Sequence, residues 1–132
     1  MPLGDLETVA RQLALTDVVL PFIGHRRRIS MHNIIRLEGD GNYTTFFFRD
    51  GTKLMVSLTL KKLESRLSPT VFARSHKKNI VNLLYLQEVC PDQQPFVMSL
   101  ANGDRVDISR RKATAFMRHV SGFQETMKRL AS

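Results

Sequence analysis

Short stretches rich in apolar, aromatic and β-branched residues recur along most of this chain, residues 105–109 alternate between polar and apolar, and apolar residues recur at helical spacing in three places. Alternation is typical of strands with one buried face, whereas a spacing of three or four residues indicates an amphipathic helix. The pattern predicts a mainly β fold with flanking helices, of the α+β class, in which most strands pair antiparallel. Strands are predicted at residues 18–23, 26–31, 34–38, 43–48, 53–56, 71–74, 80–82, 84–89, 96–100 and 105–108.

The apolar spacing predicts three helices. The first follows a candidate N-cap at Asp5 and ends near Asp17, and the second must end before Pro69, because a proline disfavours helix in the residue before it. The stripe of the last helix is compatible with packing onto the sheet or the first helix, and also with a dimer contact. The three apolar faces comprise Leu6, Val9, Ala10 and Leu13; Leu60, Leu63 and Leu67; and Phe116, Val120, Phe123, Met127 and Leu130.

Turn residues separate the predicted strands. Pro21 favours an edge position for the first strand, and Gly24-His25 would connect it to a hairpin partner. Asn102-Gly103 predicts a two-residue hairpin turn, and residues 91–95 a polar loop. The sequence Gly39-Asp40-Gly41-Asn42 resembles a phosphate-binding loop, but a strand follows it instead of a helix, so simple turn geometry is the better interpretation.

The length of 132 residues predicts one domain that can bury a core without disulfides or metal. The single cysteine, Cys90, excludes an internal disulfide and a cysteine zinc site, so a reducing compartment is expected. No apolar run approaches the roughly 20 residues of a membrane span, and Met1 to Asp5 lack the features of a secretory signal. We therefore expect a cytoplasmic protein without a membrane partner.

Positive charge is concentrated beyond residue 24. The formal net charge is +8, yet residues 1–24 contain one arginine and three carboxylates. Two clusters of basic and amide side chains lie beside apolar runs: Arg74, His76, Lys77, Lys78 and Asn79 in the first, and Arg110, Arg111 and Lys112 in the second. Such side chains offer hydrogen-bond donors to phosphates and base edges, so the clusters indicate a nucleic-acid surface.

Catalytic interpretations are not supported by the sequence. His25, His32, His76 and His119 lie in four different predicted elements without ligand spacing, so neither metal nor another cofactor is expected. No serine has the supporting histidine and acid of a nucleophile in a recognisable pattern. The prediction is that the chain is not an enzyme.

Four ordered segments resemble the LytTR family of bacterial DNA-binding domains, which occur at the C-termini of many response regulators. They lie at residues 34–43, 60–67, 72–82 and 106–111, and the third, with Ser75-His76-Lys77-Lys78-Asn79-Ile80-Val81-Asn82, is the most specific. The resemblance spans roughly residues 18–120. It predicts an N-terminal helical extension at 1–17, a DNA-binding domain at 18–120 and a continuation of the last helix at 121–132.

The resemblance implies short antiparallel sheets whose loops, rather than a recognition helix, enter successive major grooves of double-stranded DNA. Lys77 and Arg111 then occupy the positions that commonly reach base edges, and Arg111 is the first choice, since arginine suits guanine N7 and O6. For His76, locking the loop to its own backbone is an open alternative. The implied contact positions are Asn42 and Tyr43; His76, Lys77 and Lys78; and Arg110, Arg111 and Lys112.

The chain departs from the family pattern in two respects. Lys78 and Asn79 replace a small hydroxyl residue and an aromatic residue, which adds charge and removes a ring from the loop. No receiver domain precedes the DNA-binding part, so control by an upstream regulatory protein, by abundance, or by self-association on repeated DNA sites all remain open. The competing hypothesis is an adaptor whose basic surface binds an acidic protein and whose terminal helices form the interface.

Overall fold

The computed structural model describes residues 5–22, 25–90 and 96–131, and these form three antiparallel sheets with three α-helices. The predicted α+β class, mainly β with flanking helices, is confirmed. The strands are β1 (Asp17–Phe22), β2 (His25–Ser30), β3 (Ile34–Asp40), β4 (Tyr43–Phe48), β5 (Lys53–Val56), β6 (Phe72–His76), β7 (Asn79–Asn82), β8 (Leu86–Cys90), β9 (Phe96–Leu100) and β10 (Arg105–Ile108). The helices are α1 (Leu6–Gln12), α2 (Leu60–Glu64) and α3 (Ala113–Ala131).

A five-stranded sheet in the order β5-β4-β3-β7-β6 is the centre of the molecule. Leu37 of β3 lies between Phe46 of β4 and Ile80 of β7, and all three side chains are at most 1% exposed. Burial alternates along β4, because successive side chains of a strand point to opposite faces. β4 therefore lies at residues 43–48, where the sequence predicts it, with alternate side chains facing the core.

β1 and β2 form a separate hairpin in which Asp17 pairs with Ser30 and Phe22 with His25. Val18, Leu20 and Ile29 are buried, so the hairpin packs on the core through alternate residues. The predicted pair of strands is therefore present. Ile23 and Gly24, which the sequence assigned to the first strand and its turn, lie outside the described residues. Met31 begins a short 3-10 helix instead of ending the second strand.

The sheet of β8, β9 and β10 differs from expectation before β8 and between β9 and β10. Residues 83–85 form a 3-10 helix, although a strand was predicted from residue 84, because the Asn82 side chain accepts a hydrogen bond from Leu84 N (2.9 Å) and turns the backbone. Four residues, 101–104, lie between β9 and β10, and Leu100 N donates to Asp104 O (2.9 Å), so residues 101–103 form the turn. The predicted two-residue turn at Asn102-Gly103 was therefore wrong, although Gly103 has the positive φ of 93°. The predicted polar loop at 91–95 lies outside the described residues.

α1 is shorter than predicted, and its ends explain why. Asp5 occupies the predicted N-cap position, but its side chain makes no capping hydrogen bond. At the other end Leu15 N bonds to Ala10 O (2.9 Å) and Ala14 N to Arg11 O (3.1 Å). These two bonds form a Schellman motif around Ala14, whose φ is 55°. The helix therefore ends at Gln12 and does not continue towards Asp17.

The other two helices bury the predicted faces. Leu60, Leu63 and Leu67 are buried, although α2 itself ends at Glu64 and a turn carries the chain on to Leu67. α3 packs against β6 and the core through Phe116, Val120 and Phe123. The stripe is thus largely intramolecular. Met127 is partly buried against the core, and Leu130 is partly exposed.

Candidate nucleic-acid interface

The tight turn between β3 and β4, called loop 1 (residues 40–43), forms the first part of the site. Gly41 has a φ of 60°, which favours glycine, and Asn42 and Tyr43 are exposed, Tyr43 by 51%. Gly39 serves another purpose: a Cβ placed there would lie 3.1 Å from the Cβ of Leu60. The absence of a side chain at Gly39 therefore lets α2 approach the base of loop 1.

Loop 2 (residues 76–79) connects β6 to β7, and the side chain of Arg74 bonds to its backbone. The guanidinium donates from Nη1 to Glu64 Oε1 (2.9 Å), from Nε to His76 O (3.1 Å) and from Nη2 to Lys77 O (2.5 Å). The planar guanidinium bonds two carbonyls and one carboxylate at once in a fixed geometry, which the flexible ammonium group of a lysine does not provide. The side chain of Arg74 is 22% exposed, so its main contacts are within the protein.

His76 also bonds within loop 2, because its Nδ1 accepts a hydrogen bond from Lys78 N at 3.1 Å. This contact is the backbone-locking arrangement that the sequence left as an alternative for His76. The side chains of Lys77 and Lys78 are exposed, and Asn79, the first residue of β7, is partly buried. Loop 2 therefore presents two lysines on a backbone that Arg74 and His76 hold.

Loop 3 (residues 109–112) leads from β10 into α3. Ser109 caps the turn, since both its carbonyl oxygen (3.1 Å) and its Oγ (3.2 Å) accept from Lys112 N. Arg110 and Arg111 are exposed, and Lys112 is partly buried. α3 begins directly after this turn, so its positive N-terminal end adds to the charge of the loop.

Backbone hydrogen bonds join the three loops. Gly39 N donates to Lys78 O (2.8 Å), which connects the base of loop 1 to loop 2. Ser109 N donates to Ser75 O (2.8 Å), which connects loop 3 to the base of loop 2. The three segments, far apart in the sequence, therefore form one continuous surface with loop 2 in the middle.

The predicted site residues divide into two groups. Those that extend from this surface are Asn42, Tyr43, Lys77, Lys78, Arg110 and Arg111. Arg74, His76, Asn79 and Lys112 are partly buried, and the first two bond to the loop backbone. The structure thus brings the predicted residues together, with some on the surface and others supporting it.

Sequence reasoning missed Lys61 and Lys62 of α2. Both are exposed, and the preceding residue, Leu60, packs against Gly39 at the base of loop 1. The sequence pattern of this segment assigned a role only to its leucines. The signal that could have indicated a site was the adjacent pair of cations directly after a residue that fits a glycine, but only the structure shows that contact.

The described part of the chain shows neither a metal site nor a membrane-spanning helix. Among residues 5–22, 25–90 and 96–131, no group of three or more His, Cys, Asp or Glu side chains could hold a metal ion. No helix in the same ranges is long and apolar enough to cross a membrane. The surface formed by the three loops, with its exposed cations in loops 2 and 3, is therefore the candidate site.

The family model of the LytTr DNA-binding domain matches residues 25–121. The chain belongs to the LytTr DNA-binding domain family. The match contains loops 1, 2 and 3 together, so all three loops are part of the family's domain. This confirms the resemblance that the four sequence segments indicated.

Two curated relatives are the heme-containing CO-sensing transcriptional regulators RcoM 1 and RcoM 2 of Paraburkholderia xenovorans (strain LB400). They are 33% and 34% identical to this chain over 96 residues, which cover 71% of this chain and 35% of each relative. The chain thus matches about a third of the length of these proteins. A solved LytTr domain of a putative methyl-accepting/DNA response regulator from Bacillus cereus has the same fold, with a TM-score of 0.68 and 24% identity over 80% of this chain and 96% of that one.

Proposed function

We propose that this LytTr domain binds double-stranded DNA in a sequence-specific manner and regulates transcription, with loops 1, 2 and 3 in successive major grooves. The observation that supports this most is the pair of backbone bonds, Gly39 N to Lys78 O and Ser109 N to Ser75 O, which join loop 1 and its exposed Asn42 and Tyr43 to two loops that bear exposed cations. Sequence-specific binding needs both phosphate contacts and side chains at base edges. A continuous row of loops supplies both.

In this proposal Arg111 and Lys77 read base edges, and the other exposed cations position the domain on phosphates. Arginine can donate two parallel hydrogen bonds to guanine O6 and N7, and lysine can reach the same atoms. Asn42, Tyr43, Lys78, Arg110 and Lys112 would contact the backbone or neighbouring bases. Arg74, His76 and Asn79 would act mainly by holding loop 2, a role supported by the bonds of Arg74 and His76 to its backbone.

The proposal assigns DNA binding to residues 18–120, with 1–17 as an extension and 121–132 as the rest of α3. Both curated relatives are transcriptional regulators, which supports a regulatory role. A homodimer or two copies side by side on repeated sites, and a separate regulatory protein upstream, are compatible with this arrangement.

Selection of bound sequences from a random duplex pool tests the proposal. Enrichment of one motif would show sequence-specific binding, and repetition of the motif at fixed spacing would show two copies side by side. Binding to the selected duplex and a scrambled one should then be compared over a salt series, because phosphate contacts alone give the same affinity for both. Weak binding without a preferred motif would overturn the proposal and favour an adaptor that binds an acidic protein.

A further inference from the structure

A second basic surface lies at the end of the five-stranded sheet opposite to loops 1 and 2. β3 begins and β4 ends there, so the length of a six-residue strand, about 17 Å, separates this end from loop 1. β2 and the segment after β4 line a groove of about 450 Å³. We call it the arginine groove, after Arg27, Arg28 and Arg49, which line it from two separate elements.

The arginine groove combines charge with an apolar lining. Ile29 and Phe48 line it and are only 6% and 9% exposed, so they present limited apolar surface inside it. The arginines remain accessible, and the side chain of Arg28 is 71% exposed. Arginine is better suited than lysine to paired hydrogen bonds with carboxylates. Three arginines around a partly apolar groove form an arrangement that recognises acidic groups.

Two carboxylates reduce the positive charge of the arginine groove: Asp50, which lines it, and Asp17, which lies beside Arg28. Asp50 accepts hydrogen bonds from Thr52 Oγ1 (2.6 Å) and Thr52 N (2.9 Å), and these bonds lower its pKa, so it stays charged. Asp17 lies 4.0 Å from Arg28. Arg49 makes no ion pair with any residue in the described ranges. The groove is therefore positive overall, but its positive charge is interrupted.

We propose that the arginine groove docks an acidic peptide segment of a protein partner while the three loops hold DNA. The interrupted charge favours a peptide, whose carboxylates can meet the arginines and avoid Asp50, over the unbroken negative charge of a nucleic-acid backbone. An open groove with exposed arginines also cannot enclose a small ligand, as small-molecule sites usually do. Acidic peptide recognition by arginine clusters needs no such enclosure.

The position of the groove makes simultaneous binding feasible. A duplex that contacts loops 1 and 2 lies at the other end of β3 and β4, so it leaves the arginine groove uncovered. A regulator bound to DNA can then recruit a second protein through this groove. Peptide binding itself can be measured without DNA, and only the simultaneous binding of peptide and duplex rests on the proposed function.

Fluorescence anisotropy with a labelled peptide tests the proposal on the full chain. The probe is a peptide of about ten residues in which Glu alternates with Leu, and the matched control peptide has Gln in place of Glu. Arg49→Gln and Arg28→Gln should each weaken binding of the Glu peptide by about three- to fivefold, as expected for partly exposed ion pairs. Lys77→Gln in loop 2 should leave it unchanged, although it removes the same charge.

Three outcomes would overturn the proposal. If the Gln peptide binds as tightly as the Glu peptide, the groove does not recognise carboxylates. If duplex DNA displaces the Glu peptide, or Lys77→Gln weakens it as much as Arg49→Gln, the peptide binds at the loops. If Arg49→Gln weakens duplex binding more than peptide binding, the groove is a nucleic-acid surface. Thermal unfolding of each variant should match that of the parent chain, since Arg28 and Arg49 are exposed.

Discussion

Arg74 Nη1 lies 2.9 Å from Glu64 Oε1, and this ion pair connects the strand that leads into loop 2 with helix α2. The same guanidinium donates to the carbonyls of His76 and Lys77 inside the loop. Loop 2 is thus attached to α2 through one side chain. We therefore expect Arg74 to affect DNA binding by fixing the backbone that carries Lys77 and Lys78.

The Glu64→Ala variant distinguishes two possible roles of Glu64: positioning loop 2 through Arg74, and reducing the positive charge of the surface. If Glu64 only reduced the positive charge of the surface, its removal would strengthen DNA binding. If it holds Arg74 and therefore loop 2, as we expect, its removal should weaken binding to the preferred duplex by about two- to fivefold, which corresponds to the loss of a partly exposed ion pair. Affinity measured at constant salt distinguishes the two. Tighter binding by Glu64→Ala would show that the ion pair does not position the loop.

Arg111→Ala and Lys78→Ala should have different effects on DNA binding. We expect Arg111→Ala to lose about 1 to 3 kcal/mol with the preferred duplex and to relax the preference at one base pair. Lys78→Ala and Lys112→Ala should weaken all duplexes alike and lower the salt slope by about one. Lys53→Ala, which removes a charge at the other end of the sheet, is the matched control. Equal weakening of preferred and scrambled duplexes by Arg111→Ala would disprove its assignment to a base edge.

Ser75→Ala should be neutral or stabilise the protein by about 1 kcal/mol. The Oγ of Ser75 is buried and makes no hydrogen bond among the described residues, so removing it eliminates an unsatisfied polar group. The backbone bond from Ser109 N to Ser75 O would be retained. Ser109→Ala is the control and should destabilise, because Ser109 Oγ accepts from Lys112 N. Chemical denaturation measures both; a clear loss of stability in Ser75→Ala would mean that its hydroxyl has a partner in solution.

Ala14→Gly should raise the free energy of unfolding by about 0.5 to 1 kcal/mol. Ala14 holds a left-handed conformation, with φ at 55°, in the Schellman motif that ends α1. An alanine there is strained by its Cβ, and glycine is not, although glycine loses more entropy on folding. Ala115→Gly, at an exposed site inside α3, should instead destabilise by about 1 kcal/mol. Opposite signs for the two substitutions in thermal unfolding would support this account.

Asp104 should contribute stability that is lost in acid. Burial raises its pKa, but hydrogen bonds from Arg36, whose Nε lies 2.8 Å from Oδ2, and from Asn102 outweigh that effect and lower the pKa. A lowered pKa stabilises the fold above the unfolded pKa of about 4, and the contribution disappears as the pH falls through the folded pKa. The destabilisation caused by Asp104→Asn should therefore shrink between pH 7 and about pH 3. Chemical denaturation of the parent chain and of Asp104→Asn over this pH range measures the difference.

The sequence predicted most of the strands and the position of the loops, because both depend on local patterns. Aromatic and β-branched residues located β4 at its observed ends, the Asp50-Gly51 turn placed β5 after it, and cations between apolar runs marked loops 2 and 3. The role of Arg74 in holding loop 2 could not be predicted, because a cation in a basic cluster resembles a DNA contact. Its bond to Glu64 depends on how α2 packs, which the local sequence does not indicate. The 3-10 helix after Asn82 also depends on a distant contact, since Asn82 Nδ2 donates to Ile34 O.

The bonds that join the three loops run between backbone atoms, from Gly39 to Lys78 and from Ser109 to Ser75. Spacing between the loops is therefore set independently of the side chains at their tips. Under the proposed mode of binding, substitutions at Asn42, Lys77 or Arg111 should change which bases are preferred without moving the neighbouring loops. We therefore expect target preference to change one loop at a time, whether by natural divergence or by engineering.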